Sequence, residues 1–457
     1  MAHPELHLWM NGEHVGIWTA SRAGVPILRY DDAWLRSPNA RPLSMSLPIP
    51  AGVPELRGQV VDDYFDNLLP DAQPIRERVR RRFGLAPTEA AELLAAIGRD
   101  CVGAVQLLPP GMEPTGYNHI RSEPLSDTQI DALLRNLTHT PALGADADAA
   151  GDLDAFRISI AGAQEKTALL RVDGQWCRPL GATPTTHILK LPLGLVGGSR
   201  LDLTHSVYNE WLCAQLLREL DLPVATTDIA TFGNETVLAV ERFDRQWVEG
   251  TDTSPRWIAR IPQEDFCQLL GRASHEKYEA QGGPGMAHCL QVLRGSRTAT
   301  ADIRHFLCAQ LAFWLLAATD GHAKNFSIFL LPGGGYRMTP LYDVISVWPV
   351  IGQGPNQVAW QEAKLAMAVR LKNVHYQLDR IQTRHWHGLA QRSGAEGVWD
   401  AMQALVARVD PAIAAVQGLL PAGFPERTAG AIFDGLRRQQ GRWQAELQSL
   451  AGPAGGG

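Results

Sequence analysis

Residues 319–346 read TDGHAKNFSIFLLPGGGYRMTPLYDVIS, and their spacing decides the fold. NFSIFLL and YRMTPLY form two strand patterns joined by the Pro-Gly-Gly-Gly turn at 332–335. A hairpin centred near 333–334 sets Asn325 opposite about residue 342, so Asp343 stands beside Asn325 at the open end. The long helical pattern before this stretch stops at Thr319-Asp320-Gly321, with the glycine available to end it. Asp320 is then within one loop of both other residues. Three oxygen-bearing side chains converge, a set suited to a hard divalent cation and a base. Phosphoryl transfer needs those parts: Mg²⁺ on oxygen ligands and a separate carboxylate for the attacking hydroxyl. Asp320 and Asn325 have the Asp-x4-Asn spacing of a kinase catalytic loop, and Asp343 takes the place of the second metal-binding aspartate. Neither HRD nor DFG is present, so spacing and order carry the reading.

Upstream, the order of elements agrees. From Phe156, FRISI reads as a strand, AGAQE as a loop and KTALLRV as a strand closed by the Asp173-Gly174 turn. THILKLP is the next strand and carries Lys190 between Leu189 and Leu191. A helix, THSVYNEWLCAQLLREL, follows with Glu210 on it, and two more strands lie around VATTDIATF and TVLAVERF. Strand, loop, strand, lysine strand, helix and two strands is the order of a protein-kinase N-lobe. Lysine is scarce here: six of 42 basic residues, which draws attention to Lys190 as a phosphate ligand held by Glu210. The loop Ser159-Ile160-Ala161-Gly162-Ala163-Gln164-Glu165-Lys166 would cradle phosphates through successive backbone N–H groups. Backbone groups of the segment Val240 to Phe243 would meet adenine.

The rest of the chain reads as an α+β protein. Residues 1–110 form a small N-terminal α/β domain, opening with the hairpin LHLWM-NGE-HVGIW and containing helices VVDDYFDNLLPD and PIRERVRRRFG. Residues 111–152 are a linker with one short helix, DTQIDALLRNL. A bilobal protein-kinase-like fold follows: a mixed N-lobe over 153–244, then a mainly helical C-lobe over 245–447 that includes PQEDFCQLLG. Residues 448–457 are expected to be a disordered tail.

Composition narrows the class. With 457 residues, 45% apolar and 20% charged, the chain is an ordinary globular mixture. A net charge of -6 gives no electrostatic footprint for binding nucleic acid unaided. Six scattered cysteines without a CxxC pair argue against a disulfide framework or zinc ribbon. No secretory signal is visible at the start, and the most apolar run, Phe306 to Ala318, is too short to span a bilayer. The expectation is a cytoplasmic protein.

The sequence resembles the HipA toxin kinases of bacterial toxin–antitoxin pairs over nearly its whole length. The resemblance rests on WMN, VG, RPLSMSLP, FDNLLPD, GRDCVGAVQLLP, ISIAGAQEKTALL, TPTTHILKLP, ERFDR, QEDFCQLLG, KYEAQGGPG, TDGHAKNFS, YDVIS and LAMA. It implies a serine/threonine kinase using ATP and Mg²⁺, whose targets are aminoacyl-tRNA synthetases, glutamate–tRNA ligase foremost. It also implies a helix-turn-helix antitoxin, HipB, as partner, with operator DNA reached mainly through it. By motif match Asp320 becomes the catalytic base, Asn325 and Asp343 the metal ligands, and Lys190 the ATP-phosphate lysine. The match also makes Glu241 and Phe243 hinge contacts; Ile160 to Gln164 are expected to bind ATP, and His322, two residues after Asp320, is expected to hydrogen-bond in the nucleotide site. Ser159 aligns with the family's autophosphorylated serine. Phosphate there adds about -1.5 to -2 charge, and the expected effect is to switch the kinase off.

Two rivals stand beside this reading. Asp320-x-His322-x2-Asn325 also resembles the phosphoinositide-kinase loop, which leaves a lipid or small-molecule kinase open. The other rival is an ATP-binding corepressor without catalysis. His385-Trp386-His387 is expected on a surface helix rather than at a metal, and the basic run from Arg78 to Arg82 on a solvated helix face.

Overall fold

A computed structural model describes residues 5–20, 25–85, 90–138, 158–159, 164–197, 200–252 and 254–450. The chain divides into two compact units. The first comprises Met1–Leu191, Ala230–His275 and Ile328–Tyr336; the second comprises Pro192–Ile229, Glu276–Ser327 and Arg337–Gly457. The expected lobe boundary at 244 therefore falls inside the first unit. The helix expected in the N-lobe, Ser206–Glu219, lies in the second.

The first unit opens on an antiparallel sheet with Glu55–Arg57, Ile27–Tyr30, Glu13–Thr19, Glu5–Met10 and Val105–Leu108 side by side. Asn11 and Gly12 both take positive φ, 46° and 84°, as a two-residue turn matched to the strand twist requires. Alternation along Glu5–Met10 turns Leu6, Leu8 and Met10 inward. Helices Gln59–Asp66 and Ala90–Ile97 cover that face, with Trp18 stacked on Phe65 at 3.9 Å between centroids. In helix Gln73–Arg82 the expected basic face is partly neutralised: Glu77 holds Arg80 and Arg81, and Arg78 pairs with Glu165.

The unit's second sheet places Glu235–Glu241, His187–Lys190, Lys166–Val172, Gln175–Pro179 and Ser122–Pro124 next to one another. Asp173 and Gly174 make the expected turn, with φ of 49° and 84°. Two strands of this sheet depart from expectation: Gln175–Pro179 intervenes before the lysine strand, and Ser122–Pro124 lies in the stretch expected to be a linker with one short helix. PQEDFCQLLG is also not one helix. Gln263–Asp265 is a strand, and Asp265 then caps the four-residue helix Phe266–Leu269 in a capping box with Gln268. An aspartate that accepts from the first free N–H groups favours that end position over a helix interior.

Helices dominate the second unit. Ala299–Leu316 runs through its core, with Phe306, Leu307, Leu311, Trp314 and Leu316 fully buried. Ser206–Glu219, Thr383–Arg392, Val398–Ala407, Val409–Gln417 and Glu426–Leu450 pack with it or with one another. His385-Trp386-His387 is helical but not a surface segment. Trp386 is fully buried, and His385 is buried in a stack on His375 at 4.0 Å. Burial, first, and the neighbouring His375 lower the His385 pKa to about 4, so this ring is neutral at ordinary pH. All six cysteines are buried thiols. No helix among the described residues is long and apolar enough to cross a membrane.

Candidate active site

The loop that carries Asp320 begins where the long helix ends. That end is not made by Gly321. The helix stops at Leu316 because Ala317 takes the left-handed conformation, φ 49°. Gly321 serves a different need: a Cβ there would sit 2.5 Å from the buried Phe313 ring. The chain then folds back on itself. The His322 N–H donates to the Asp320 carbonyl at 2.7 Å, and the Asn325 N–H donates to the His322 carbonyl at 2.9 Å. Asn325 Nδ2 also donates to the Asp320 carbonyl, at 2.8 Å. The amide nitrogen is thus committed to the loop, which identifies Oδ1 as the oxygen Asn325 has to offer a cation. His322 and Asn325 are buried, whereas the Asp320 side chain is 65% exposed.

Asp320 has a partner that the sequence reading assigned no role. Tyr278 OH donates to Asp320 Oδ1 at 2.7 Å, and its ring meets His322 edge-on at 5.0 Å. His322 Nε2 is 4.0 Å from Asp320 Oδ2. Tyr278 belongs to KYEAQGGPG, 42 residues before Asp320, so no local spacing links the two.

The hairpin brings the strand end that precedes Asp343 to the same loop. The Thr339 N–H donates to the Ser327 carbonyl at 3.0 Å, a register that places Asn325 opposite 341, one residue from the expected 342. Tyr342 then ties the strand end to the loop: its OH donates to the Lys324 carbonyl at 2.9 Å and receives the Ser327 hydroxyl at 2.5 Å. Asp343 itself takes φ 60°, a left-handed conformation that aspartate tolerates better than most residues. Just beyond it, Ser346 Oγ donates to the Leu316 carbonyl (2.6 Å), the Val347 N–H to that of Ala317 (3.0 Å) and Trp348 Nε1 to that of Leu315 (3.0 Å). These bonds satisfy carbonyls that a helix C-terminus leaves open. The end of one helix therefore fixes both Asp320 and the segment after Asp343. The Asp343 carboxylate and the Asn325 amide oxygen are hard donors of the kind Mg²⁺ takes alongside phosphate and water, so these two residues fit that ion. No group of three or more His, Cys, Asp or Glu side chains suited to a metal occurs among the described residues.

The other expected residues lie in the first unit. Lys190 is buried at the end of its strand, paired with Leu238 on one side and Lys166 on the other. Gln164, also buried, donates its Nε2 to the Leu191 carbonyl at 2.5 Å. Glu241 pairs with His187 across the ladder, and Phe243 meets Phe329 edge-on at 5.8 Å. Ser159 lies in the strand Ile158–Ser159, parallel to Asp100–Cys101. Ile160, Ala161, Gly162 and Ala163 fall outside the described residues. Glu210 is buried on the helix Ser206–Glu219 of the second unit, whereas Lys190 belongs to the first.

Between Glu241 and Phe243 stands Arg242, part of a buried polar cluster that sequence reasoning missed. It grips Asp244 through Nε (3.0 Å) and Nη2 (2.9 Å) and donates to the Cys101 carbonyl at 2.8 Å. Arg245 and Arg260 reach Asp100 Oδ1 at 2.9 and 3.3 Å, and Thr185 Oγ1 donates to Asp100 Oδ2 at 2.6 Å. Burial pushes the Asp100 carboxyl up, but Arg245, Arg242 and Arg260 outweigh it and hold the group well below the usual carboxylate range. The expected adenine-contacting segment is thereby fastened to Asp100 of the N-terminal region.

Fold and loop geometry together define a mixed α/β, kinase-like protein with an Asp-His-Asn loop. Comparison with known proteins gives the family. Residues 6–108 match the HipA N-terminal domain and residues 158–416 the HipA-like C-terminal domain. The chain belongs to the HipA family. It is 33% identical to "Putative kinase Y4mE" of Sinorhizobium fredii over 85% of this chain and 86% of that protein. It is 27% identical to the serine/threonine-protein kinase toxin HipA of Shewanella oneidensis, over 70% of each. The fold matches HipA in the Shewanella oneidensis structure of HipA, HipB and operator DNA, with a TM-score of 0.76 at 23% identity, covering 97% of this chain and 99% of that one.

Proposed function

We propose that this chain transfers the γ-phosphoryl group of ATP, with Mg²⁺, to a serine of a protein. We further propose that its target class is the aminoacyl-tRNA synthetases, of the glutamate–tRNA ligase type. The observation that carries the reading is the loop in which Asp320 and Asn325 are locked by one carbonyl while the segment after Asp343 is pinned to the same helix end. Asp320 takes the proton of the acceptor hydroxyl as the serine oxygen bonds to phosphorus and the bond to the ADP oxygen breaks. Asn325 Oδ1 and Asp343 hold the cation. Lys190 and the Ser159–Gln164 loop bind the phosphates, and Glu241 and Phe243 the adenine. Bound Mg²⁺ supplies charge neutralisation on the phosphates.

Autophosphorylation of Ser159 would place about -1.5 to -2 charge at the edge of the phosphate loop, opposing ATP and ending activity. A HipB-type antitoxin is the proposed partner, and the HipA–HipB–operator complex of the Shewanella oneidensis relative supports it. The net charge of -6 accords with a partner that supplies the DNA contacts.

Incubation of the protein with γ-labelled ATP and, in separate reactions, a panel of purified synthetases and phosphoinositide vesicles tests this directly. Label on one synthetase, lost with Asp320→Ala, is the expected result. Label on phosphoinositides, or on nothing while ATP is bound, contradicts it.

A further inference from the structure

We infer that Tyr278 is a positioning residue for catalysis, the group that orients the Asp320 carboxylate toward the acceptor hydroxyl. The inference rests on the reading of Asp320 as the base. An exposed carboxylate turns easily about its terminal torsion, which has broad, shallow wells. Asp320 is 65% exposed, so packing alone does not choose its orientation. The 2.7 Å bond from Tyr278 OH to Oδ1 does.

Tyr278 is itself held from several sides. Its ring stands edge-on to buried His322. The Lys277 carbonyl accepts from the Ala323 N–H at 3.3 Å, and the Tyr278 carbonyl accepts from the N–H groups of Gln281 and Gly283, each at 3.0 Å. Glu279 then anchors the segment to the strand Lys364–Arg370: its carboxylate accepts from the Ala368 N–H and from Arg370 Nη2, both at 2.7 Å.

The glycines of the same motif exist for this arrangement. A Cβ at Gly283 would lie 2.1 Å from the Glu276 carbonyl oxygen, and one at Gly285 would lie 2.3 Å from the Glu279 carboxyl carbon. KYEAQGGPG is thus a compact bracket whose one outward product is a phenol aimed at the base. The bracket touches the nucleotide site at His322 through the edge of the Tyr278 ring, while the Tyr278 hydroxyl bonds to Asp320, so removal of that hydroxyl falls on the transfer step rather than on nucleotide binding.

The test is Tyr278→Phe, which removes one oxygen from a half-buried ring. The probe is phosphate gained by the protein itself, followed by intact mass over a range of Mg-ATP concentrations, with the thermal midpoint measured alongside. The expected result is a loss of about ten- to a hundredfold in the maximal rate, the scale of one hydrogen bond to a charged group. The ATP concentration at half-maximal rate and the midpoint should stay at the wild-type values. An unchanged maximal rate overturns the inference. So does a joint fall in rate, ATP affinity and midpoint, which describes a merely structural tyrosine. Failure of the kinase reading is distinguishable, because the wild-type protein would then gain no phosphate at all.

Discussion

Asn209 and Ser346 exchange a reciprocal pair of hydrogen bonds: Asn209 Nδ2 donates to the Ser346 carbonyl and the Ser346 N–H donates to Asn209 Oδ1, both at 2.8 Å. Both residues are buried, 3% and 0% exposed. The pair joins the helix Ser206–Glu219 to the segment that follows Asp343, the proposed metal ligand, across 137 positions of sequence. Asn209→Leu leaves a carbonyl and an N–H buried without these partners. The expected cost is about 2–4 kcal/mol of stability, together with a rise in the Mg²⁺ concentration needed for half-maximal phosphate transfer. Urea unfolding and a magnesium titration check the two parts.

Gly321→Ala should impair the enzyme for a steric reason. The new methyl would lie 2.5 Å from a Phe313 ring that is itself only 2% exposed, so neither side can yield cheaply. Overpacking of this kind costs about 1–3 kcal/mol, and here the strain falls beside Asp320. A drop in transfer rate larger than the drop in stability is expected. An alanine variant with the wild-type rate would show that the loop has room to spare.

Asp100 carries a larger structural burden. It faces Arg242, Arg245 and Arg260 in a buried site. Asp100→Ala leaves three guanidinium groups with Asp244 as the remaining carboxylate of the cluster. Breaking a buried pair in this way costs about 3–5 kcal/mol. Denaturant unfolding should register that loss, and ATP affinity should weaken because Arg242 sits between Glu241 and Phe243.

Glu264 predicts a pH dependence. Burial raises its pKa to about 8, against opposing bonds from the Ser44 hydroxyl and the Met45 N–H. The unfolded chain releases this proton near the ordinary glutamate value of about 4.3, whereas the folded chain keeps it until about pH 8. Within that window the unfolded state binds fewer protons, so this group makes stability fall as pH rises. The slope is roughly tenfold in the folding constant per pH unit. Glu264→Gln should flatten this component of the stability–pH curve, as followed by chemical unfolding at pH 5, 6, 7 and 8. An unchanged slope would mean that Glu264 is ionised in the fold.

Much of the architecture was legible because turn chemistry is local. Asn11-Gly12, Asp173-Gly174 and the Pro-Gly-Gly-Gly turn at 332–335 announce hairpins whose strands appear on either side. The spacing of Asp320 and Asn325 was readable for the same reason: one turn contains both. What the sequence hid depends on distant partners. Ala317, not Gly321, ends the long helix, because carbonyls there are taken up by Ser346, Val347 and Trp348 from 30 residues on. Asp265 diverts QEDFCQLLG into a strand and a short capped helix. Tyr278 and Arg242 show no chemical purpose until Asp320 and Asp100 are brought beside them.

Transfer of phosphate from ATP through Asp320, with Ser159 as the chain's own acceptor, is the proposal on which the other expectations depend. Intact mass after incubation with Mg-ATP tests it most directly, on phosphatase-treated wild type beside Asp320→Ala and Ser159→Ala. Wild type should gain one phosphoryl group, and neither variant should. A wild type that binds ATP yet stays unmodified, or an Asp320→Ala protein that gains phosphate as fast as wild type, would contradict it.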